Sequence, residues 1–262
     1  DAAFDVVLYT GGLPGDGWQR GDERQKATGK TVDGVTTFKS DKWTAKLADG
    51  KIAVAGSGGE ALGTLVKTER KSPTLGEKPP ADALILFDGS NADQFKGGKI
   101  VEDNLLLAGA LSKPTFEDFK LHIEFRTPFV PKARGQGRGN SGVYLQNRYE
   151  VQVLDSFGLE GQNNECGGIY SQAAPKVNMC LPPLAWQTYD VDFTAARWSE
   201  GKKVKNARVT IKHNGVMIYD DLELKGATPG GVGEGPEKAG IQLQAHGNPV
   251  TYRNIWVVEK KS

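Results

Sequence analysis

Residues 139–156 read GNSGVYLQNRYEVQVLDS. Within them Val143, Leu145, Val151 and Val153 alternate with Tyr144, Gln146, Glu150 and Gln152. A strict period of two predicts a pair of β-strands, each with one apolar face and one face of another kind. What the second face meets, water or a ligand, is the functional question.

Outward from this stretch the same period recurs. NLLLAG, FKLHIEFRTP, YDVDFTAARW, ARVTIKHNGVMIYD, AGIQLQAH and VTYRNIWVVE all read as strands, separated by Gly, Pro and Asn. Asn214-Gly215 sits between two of them where a hairpin turn belongs. Towards the N-terminus FDVVLY, LGTLVKTE, and WTAKL with KIAVAG around Asp49-Gly50 are strand-like as well. Many short strands without helical patterns predict an all-β chain, an antiparallel β-sandwich or jelly roll. KSPTLGEKPPADA (71–83) carries three prolines and reads as a linker or a long surface connection. The expected organisation is therefore a β-rich N-terminal extension or small subdomain over 1–80 and a sandwich domain over 81–262. The irregular stretch 155–185 is expected to form loops over one face or rim.

Lys+Arg 33 against Asp+Glu 32 leaves a net charge of +1 on 262 residues, so no global field draws nucleic acid or an anionic membrane. The longest apolar runs, such as ALILF at 83–87, are too short to span a bilayer. The chain begins at Asp1 without a methionine, which fits removal of an export leader and equally fits trimming. Cys166 and Cys180 lie close in a Gly/Pro/Asn-rich segment. A Cys166–Cys180 disulfide would contribute about 3 kcal/mol and imply an oxidising compartment; two buried free thiols are the other reading. CxxC and HExxH metal motifs are absent.

The polar faces differ from one another. Arg208, Thr210 and Lys212 in RVTIKH compose an ordinary solvated face. In FKLHIEFR the alternate positions are His122, Glu124 and Arg126; in YEVQVLD they are Glu150 and Gln152, with Asp155 at the strand end; in GIQLQAH they are Gln242, Gln244 and His246. Such groups pair donors with acceptors and suit a polyhydroxylated ligand. Glu124, Glu150, Asp155 and His246 are the candidate acids and bases. His122, Glu124 and Asp155 are a candidate site for a divalent metal such as Ca, Mn or Zn. The glycine-rich loop 133–142 offers Arg138 and Asn140 to a substrate, or is simply a surface loop; it lacks the order of a phosphate-binding loop. Trp186 and Tyr170 could each stack on a sugar ring or belong to the core.

GNSGVYLQNRYEVQVLDS, CGGIYSQAAP, WQTYDVDFTA, HNGVMI and GIQLQAHGNPVTYRNIWV occur in this order. Together they resemble the 3-keto-disaccharide hydrolase domain, formerly a domain of unknown function, from about LFDG (86–89) to Glu259. The resemblance implies a concanavalin A-like lectin/glucanase fold with sugar on the concave sheet. It also implies exported, periplasmic or extracellular bacterial proteins that cleave glycosides oxidised to a ketone at carbon 3. Glu150, Gln152 and Asp155 fall in its YEVQ-LDS pattern, and Gln244, His246 and Arg253 in its closing motif. The N-terminal section lies outside the resemblance, and the cysteine-bearing insertion is not general to the family.

For such chemistry Glu150 is assigned as base, His246 as acid or metal ligand, and Arg138 or Arg253 as electrostatic stabiliser. The substrate-binding set is Arg138, Asn140, Tyr144, Gln146, Gln152, Tyr170, Trp186, Gln242, Gln244 and Arg253. Two alternatives stand beside this one. Glu124 and Glu150 could form the carboxylate pair of an ordinary glycoside hydrolase, or the chain could be a non-catalytic carbohydrate-binding module.

Overall fold

Asp49 and Gly50 both take left-handed backbone angles, φ 50° and 72°, and join Trp43–Ala48 to Lys51–Gly56. Asn214 and Gly215 do the same, at φ 51° and 79°, between Ala207–His213 and Val216–Leu224. Two successive left-handed residues give the turn whose twist matches that of paired antiparallel strands, which is why these dipeptides mark hairpins. The computed structural model describes residues 3–261 and is nearly all β.

The chain divides into two compact units, Asp1–Arg70 and Lys71–Ser262. The first is a six-stranded antiparallel sheet in the order Ala3–Tyr9, Arg24–Val32, Val35–Lys39, Trp43–Ala48, Lys51–Gly56 and Ala61–Val66. Its core gathers Ala27, Phe38, Trp43 and Ala45, with Val6, Leu8, Leu47, Ile52 and Val54 packed against them.

The second unit is a β-sandwich. The smaller sheet runs Phe95–Lys96, Ala110–Ser112, Gln242–Leu243, Ser141–Leu145 and Tyr149–Val153. The larger runs Ile100–Val101, Leu105–Leu107, Thr251–Glu259, Phe119–Arg126, Gln187–Thr194, Ala207–His213 and Val216–Leu224, with Leu84–Phe87 also paired to Thr251–Glu259. Leu121, Ile123, Phe125, Tyr189, Val191 and Phe193 face inward from the larger sheet, and Val143, Tyr149, Val151 and Val153 from the smaller; all are buried. The Tyr149 and Phe193 rings meet across the interface at 5.6 Å, and Tyr189 donates to the Gln152 carbonyl at 2.6 Å. Each fully buried Phe, Ile or Val contributes roughly 1.5–3 kcal/mol, so this layer is what holds the two sheets together.

The segment 71–83, expected as a linker or a long surface connection, lies in the second unit, which begins at Lys71. Ser72 Oγ and Thr188 Oγ1 are 2.6 Å apart, Thr74 donates to Asp190 Oδ2 at 2.7 Å, and the Gly76 N–H donates to Glu124 Oε1 at 2.6 Å. Prolines keep the segment from joining a ladder, and its polar groups bond outward-facing side chains of the larger sheet instead.

The two cysteines are free, buried thiols and not a disulfide. Cys166 Sγ lies 3.2 Å from Tyr189 Oη and Cys180 Sγ 3.4 Å from the Leu154 carbonyl. Asn178 secures this segment without a covalent link, donating to the Ser156 and Leu159 carbonyls. No helix among the described residues is long and apolar enough to cross a membrane.

Candidate active site

Antiparallel register decides which polar side chains share a face. Tyr144 pairs with Glu150 on one side and Gln242 on the other, and Gly142 pairs with Gln152. Directly opposed residues point the same way, so Gly142, Tyr144, Glu150, Gln152, Gln242 and Gln244 form the outer face of the smaller sheet. That face is not an ordinary solvated one. Tyr144 is 0% exposed, Glu150 2% and Gln152 1%.

Loops cover it. Gln152 Nε2 donates to Gln136 Oε1 at 2.9 Å, and Asn140 Nδ2 to the Gln136 carbonyl at 2.8 Å. Arg138 Nε holds Asp155 Oδ2 at 2.7 Å. From the other side the Glu150 N–H donates to Thr228 Oγ1 at 2.9 Å. A Cβ on Gly230 would stand 2.7 Å from the Tyr144 hydroxyl, so only glycine lets this loop lie so close. Arg148, from the hairpin turn, latches the same loop through the Gly233 and Glu237 carbonyls.

Glu150 is the chemically distinctive group. Burial pushes its carboxyl up to about 7, against the opposing pull of the Tyr144 hydrogen bond. Tyr144 Oη lies 2.8 Å from Glu150 Oε2 and 3.0 Å from the Pro229 carbonyl, and accepts from Gln244 Nε2 at 3.1 Å. One hydroxyl proton cannot serve both oxygens. With Glu150 protonated, Glu150 donates to Tyr144 and Tyr144 to Pro229; with Glu150 ionised, Tyr144 turns its proton to the carboxylate. The network thus accommodates both states of a group poised near neutral pH. Gly142 makes room for it, because a Cβ there would stand 2.1 Å from Glu150 Oε1. Beside this network the buried Asn140 Oδ1 and Gln244 Oε1 have no protein partner, so two acceptors remain for hydroxyl donors.

The remaining sequence-predicted residues distribute unevenly. Tyr170 is half-buried, and its N–H donates to the Glu150 carbonyl. His246 is exposed, beyond Gln244 on the same chain segment. Gln146 leaves the face: at φ 50° it begins the turn, where it donates to the Phe116 carbonyl and accepts from Arg148.

Glu124, His122, Arg253 and Trp186 belong to the larger sheet's outer face. Opposite Ile123 the Thr251–Glu259 strand carries a bulge: His122 pairs with Trp256 and Glu124 with Arg253, leaving Asn254 and Ile255 between. Left-handed Asn254, φ 44°, brings its side chain round to Glu124 Oε1 at 3.0 Å, beside Arg253 Nε on Oε2 at 2.7 Å. Burial opposes ionisation of Glu124, but bonds from His122, Asn254, the Gly76 amide and Arg253 win and hold it at about 2. Burial likewise opposes charging of His122, but bonds to Asp190 and Glu124 raise it to about 9. Asp190 Oδ1 lies 2.6 Å from His122 Nδ1. This is a satisfied ion-pair network that fastens the 71–77 segment.

Three expectations need correction. Glu124 and Glu150 are not a carboxylate pair, since they point outward from opposite sheets of a sandwich about 10 Å thick. Such a separation exceeds the roughly 6.5–9.5 Å of inverting enzymes and the shorter gap of retaining ones. Asp155 is not with His122 and Glu124, because it sits at the other sheet with Arg138. Among the described residues, the ligating atoms that do gather within 4.8 Å are those of Glu77, His122 and Asp190, where a metal would have to displace the His122 proton. Trp186 does not offer a free face to sugar: Arg253 and Arg126 lie over its ring at 4.0 and 5.0 Å.

Asp190, Asn254 and Thr228 escaped the sequence reading, because their roles depend on register and on a bulge. Gly142 carried a usable signal, since a glycine inside a strand marks close approach.

Residues 82–258, within the second unit, match a sequence family described as a 3-keto-alpha-glucoside-1,2-lyase-like domain. A crystal structure of a candidate glycosyl hydrolase from Parabacteroides distasonis is 30% identical, with a TM-score of 0.65, and the match covers 79% of this chain and 99% of that one. A second such protein from the same organism is 17% identical, with a TM-score of 0.50, over 69% of this chain and 94% of that one; it supports the fold alone. No curated protein matches at comparable significance. With about two-thirds of its length matched, including every residue of the Glu150 face, the chain belongs to the 3-keto-alpha-glucoside-1,2-lyase-like domain family.

Proposed function

We propose that the protein is a carbohydrate-active enzyme that cleaves 3-keto-glycosides by elimination and hydration, with Glu150 as the base. The observation that carries this reading is the buried Glu150 carboxyl, raised to about 7 by burial and placed on a face rich in uncharged donors and acceptors. Family membership and the glycosyl hydrolase-like neighbour support the substrate class.

A ketone at carbon 3 acidifies the hydrogen on carbon 2. Ionised Glu150 takes that proton, and the C–H electron pair forms an enolate with its charge on the carbon-3 oxygen. The enolate collapses, forming the C1–C2 double bond and breaking the bond from C1 to the leaving oxygen, which takes a proton. Water then adds at C1, its released proton restoring the acid that protonated the leaving oxygen, and Glu150 returns its proton to C2, so the net change is hydrolysis. A base with pKa near the working pH suits both directions of this transfer. Tyr144, whose own ionisation is pushed far up by burial and by Glu150, stays protonated and donates to the carboxylate. Arg138, tied to Asp155 through Nε alone, keeps terminal N–H groups for the enolate oxygen. His246 is assigned to the leaving oxygen. Arg253 drops out of this role, since it serves Glu124 on the other sheet.

The loop 228–237 must move aside to admit substrate to a carboxyl only 2% exposed. Its glycines supply the hinge freedom, and its closure would exclude water from the enolate. The test is product analysis with a 3-keto-glucoside and its unoxidised parent, with and without chelator, on wild type and Glu150→Gln. Cleavage of the keto sugar alone, abolished in Glu150→Gln, is expected. Turnover of the unoxidised parent, or a fully active variant, would overturn the proposal.

A further inference from the structure

On the larger sheet's outer face lies a groove of about 750 Å³, inside the range of roughly 300–1,000 Å³ typical of small-molecule sites. Its floor is Trp186 with the Arg126 and Arg253 guanidinium groups stacked upon it. One wall is made of two turns pressed together: a Cβ on Gly89 would stand 3.3 Å from the Asn104 carbonyl oxygen. Asp103 and Asn104 are consecutive left-handed non-glycine residues, φ 60° and 57°. Backbone held this way persists where the surroundings over-determine it, and such positions concentrate at ligand clamps.

Arg253 and Asn254 bond Glu124 along this groove, but several polar groups facing it keep bonding capacity to spare. Both the Ser90 N–H and its hydroxyl bond Asp88 Oδ1, at 2.9 and 2.6 Å, which leaves Oδ2 uncommitted. Those two bonds hold Asp88 below the usual carboxylate range, so it is an ionised acceptor. Arg126 is stacked on Trp186 but bonded to no carboxylate among the described residues. Arg253 uses Nε on Glu124 and keeps its terminal nitrogens. Asn104 is exposed and supplies both a donor and an acceptor. Carboxylate and amide groups fixed around a floor of guanidinium groups, themselves held in place by stacking on Trp186, are the complement of a ring bearing hydroxyls, each at once donor and acceptor. Acidic and basic groups both line the space, which disfavours an anionic ligand.

We infer that this groove is a second carbohydrate-binding site, taking two or three residues of a neutral, unoxidised glycan on the sheet opposite Glu150. It would hold the protein on a polymer while the other face does chemistry. It needs no ketone and stands independently of the assignment of Glu150.

The test is titration calorimetry with maltotriose, cellotriose and laminaritriose on wild type, Asp88→Ala, Arg126→Gln and Glu150→Gln. At least one trisaccharide should bind wild type and Glu150→Gln equally. Asp88→Ala and Arg126→Gln should each weaken it at least about tenfold, the loss of one or two hydrogen bonds to charged groups, without lowering the melting temperature. Asp88 is exposed and bonded only within its own turn, so Asp88→Ala separates lost binding from lost folding. Absence of binding by all three sugars would overturn the inference. So would binding that survives both groove variants, or that is lost in Glu150→Gln, which would put the glycan on the smaller sheet.

Discussion

Replacing Glu150 with Gln should stabilise the protein while abolishing turnover. The unfolded carboxyl ionises near 4.5 and the folded one near 7. Between those values the folded state binds more protons, so stability falls as pH rises from about 4.5 to about 7 and is level above. At 1.36 kcal/mol per unit, the penalty of an ionised Glu150 at pH 8 is about 3 kcal/mol. Glutamine keeps the oxygen that accepts from Tyr144 and carries no charge to desolvate. Glu150→Gln should therefore exceed wild type by up to about 3 kcal/mol at pH 8, with the gap closing below pH 4.5. For a unit of this size that corresponds to a rise of roughly 6–12 °C in melting temperature. Denaturant titrations at pH 4, 6 and 8 on both proteins measure it, alongside turnover of a 3-keto-glucoside. The wild-type rate should rise with an apparent pKa near 7. A variant no more stable than wild type at pH 8, or a rate already level at pH 5, would refute the argument that burial tunes this carboxyl.

Gly142→Ala should lower kcat on the keto sugar while leaving the sandwich folded, because its Cβ would displace the Glu150 carboxylate; unchanged kcat with unchanged pH dependence would speak against it. Glu124→Gln should destabilise by about 3–5 kcal/mol, as expected on breaking a buried ion pair, yet cleavage per folded molecule should persist, as stopped assays on thermally verified protein would show. The pH dependence of His122 runs in the same direction as that of Glu150, in a higher window. Its folded value of about 9 lies above the unfolded 6.5, so its contribution is complete below pH 6.5 and is lost as pH rises through 9. Unfolding curves at pH 6 and 10 should converge in His122→Gln relative to wild type.

The alternation around residues 139–156 identified the right strands because period two is a property of every half-buried strand. It read Gln146 as a face residue alongside Tyr144 because alternation alone does not announce a turn; the left-handed backbone at Gln146 and Asn147 ends the strand at Leu145. His122 and Glu124 passed as site residues for a related reason. Their side chains do face outward and are buried, but what buries them is a proline-containing segment far away in the chain.

Composition, turn dipeptides and periodicity by themselves determined an all-β chain, its hairpins at Asp49-Gly50 and Asn214-Gly215, and, within the strands that formed, the polar side carrying Tyr144, Glu150 and Gln152. These are local properties, settled by backbone sterics and side-chain direction within a few residues. Only the tertiary structure decided that Glu124 and Glu150 occupy different sheets, that Arg253 and Asn254 neutralise the one, and that a loop some 80 residues on closes over the other. Sheet partnership and desolvation arise from non-local packing, and it is desolvation that raises one glutamate among many to about 7.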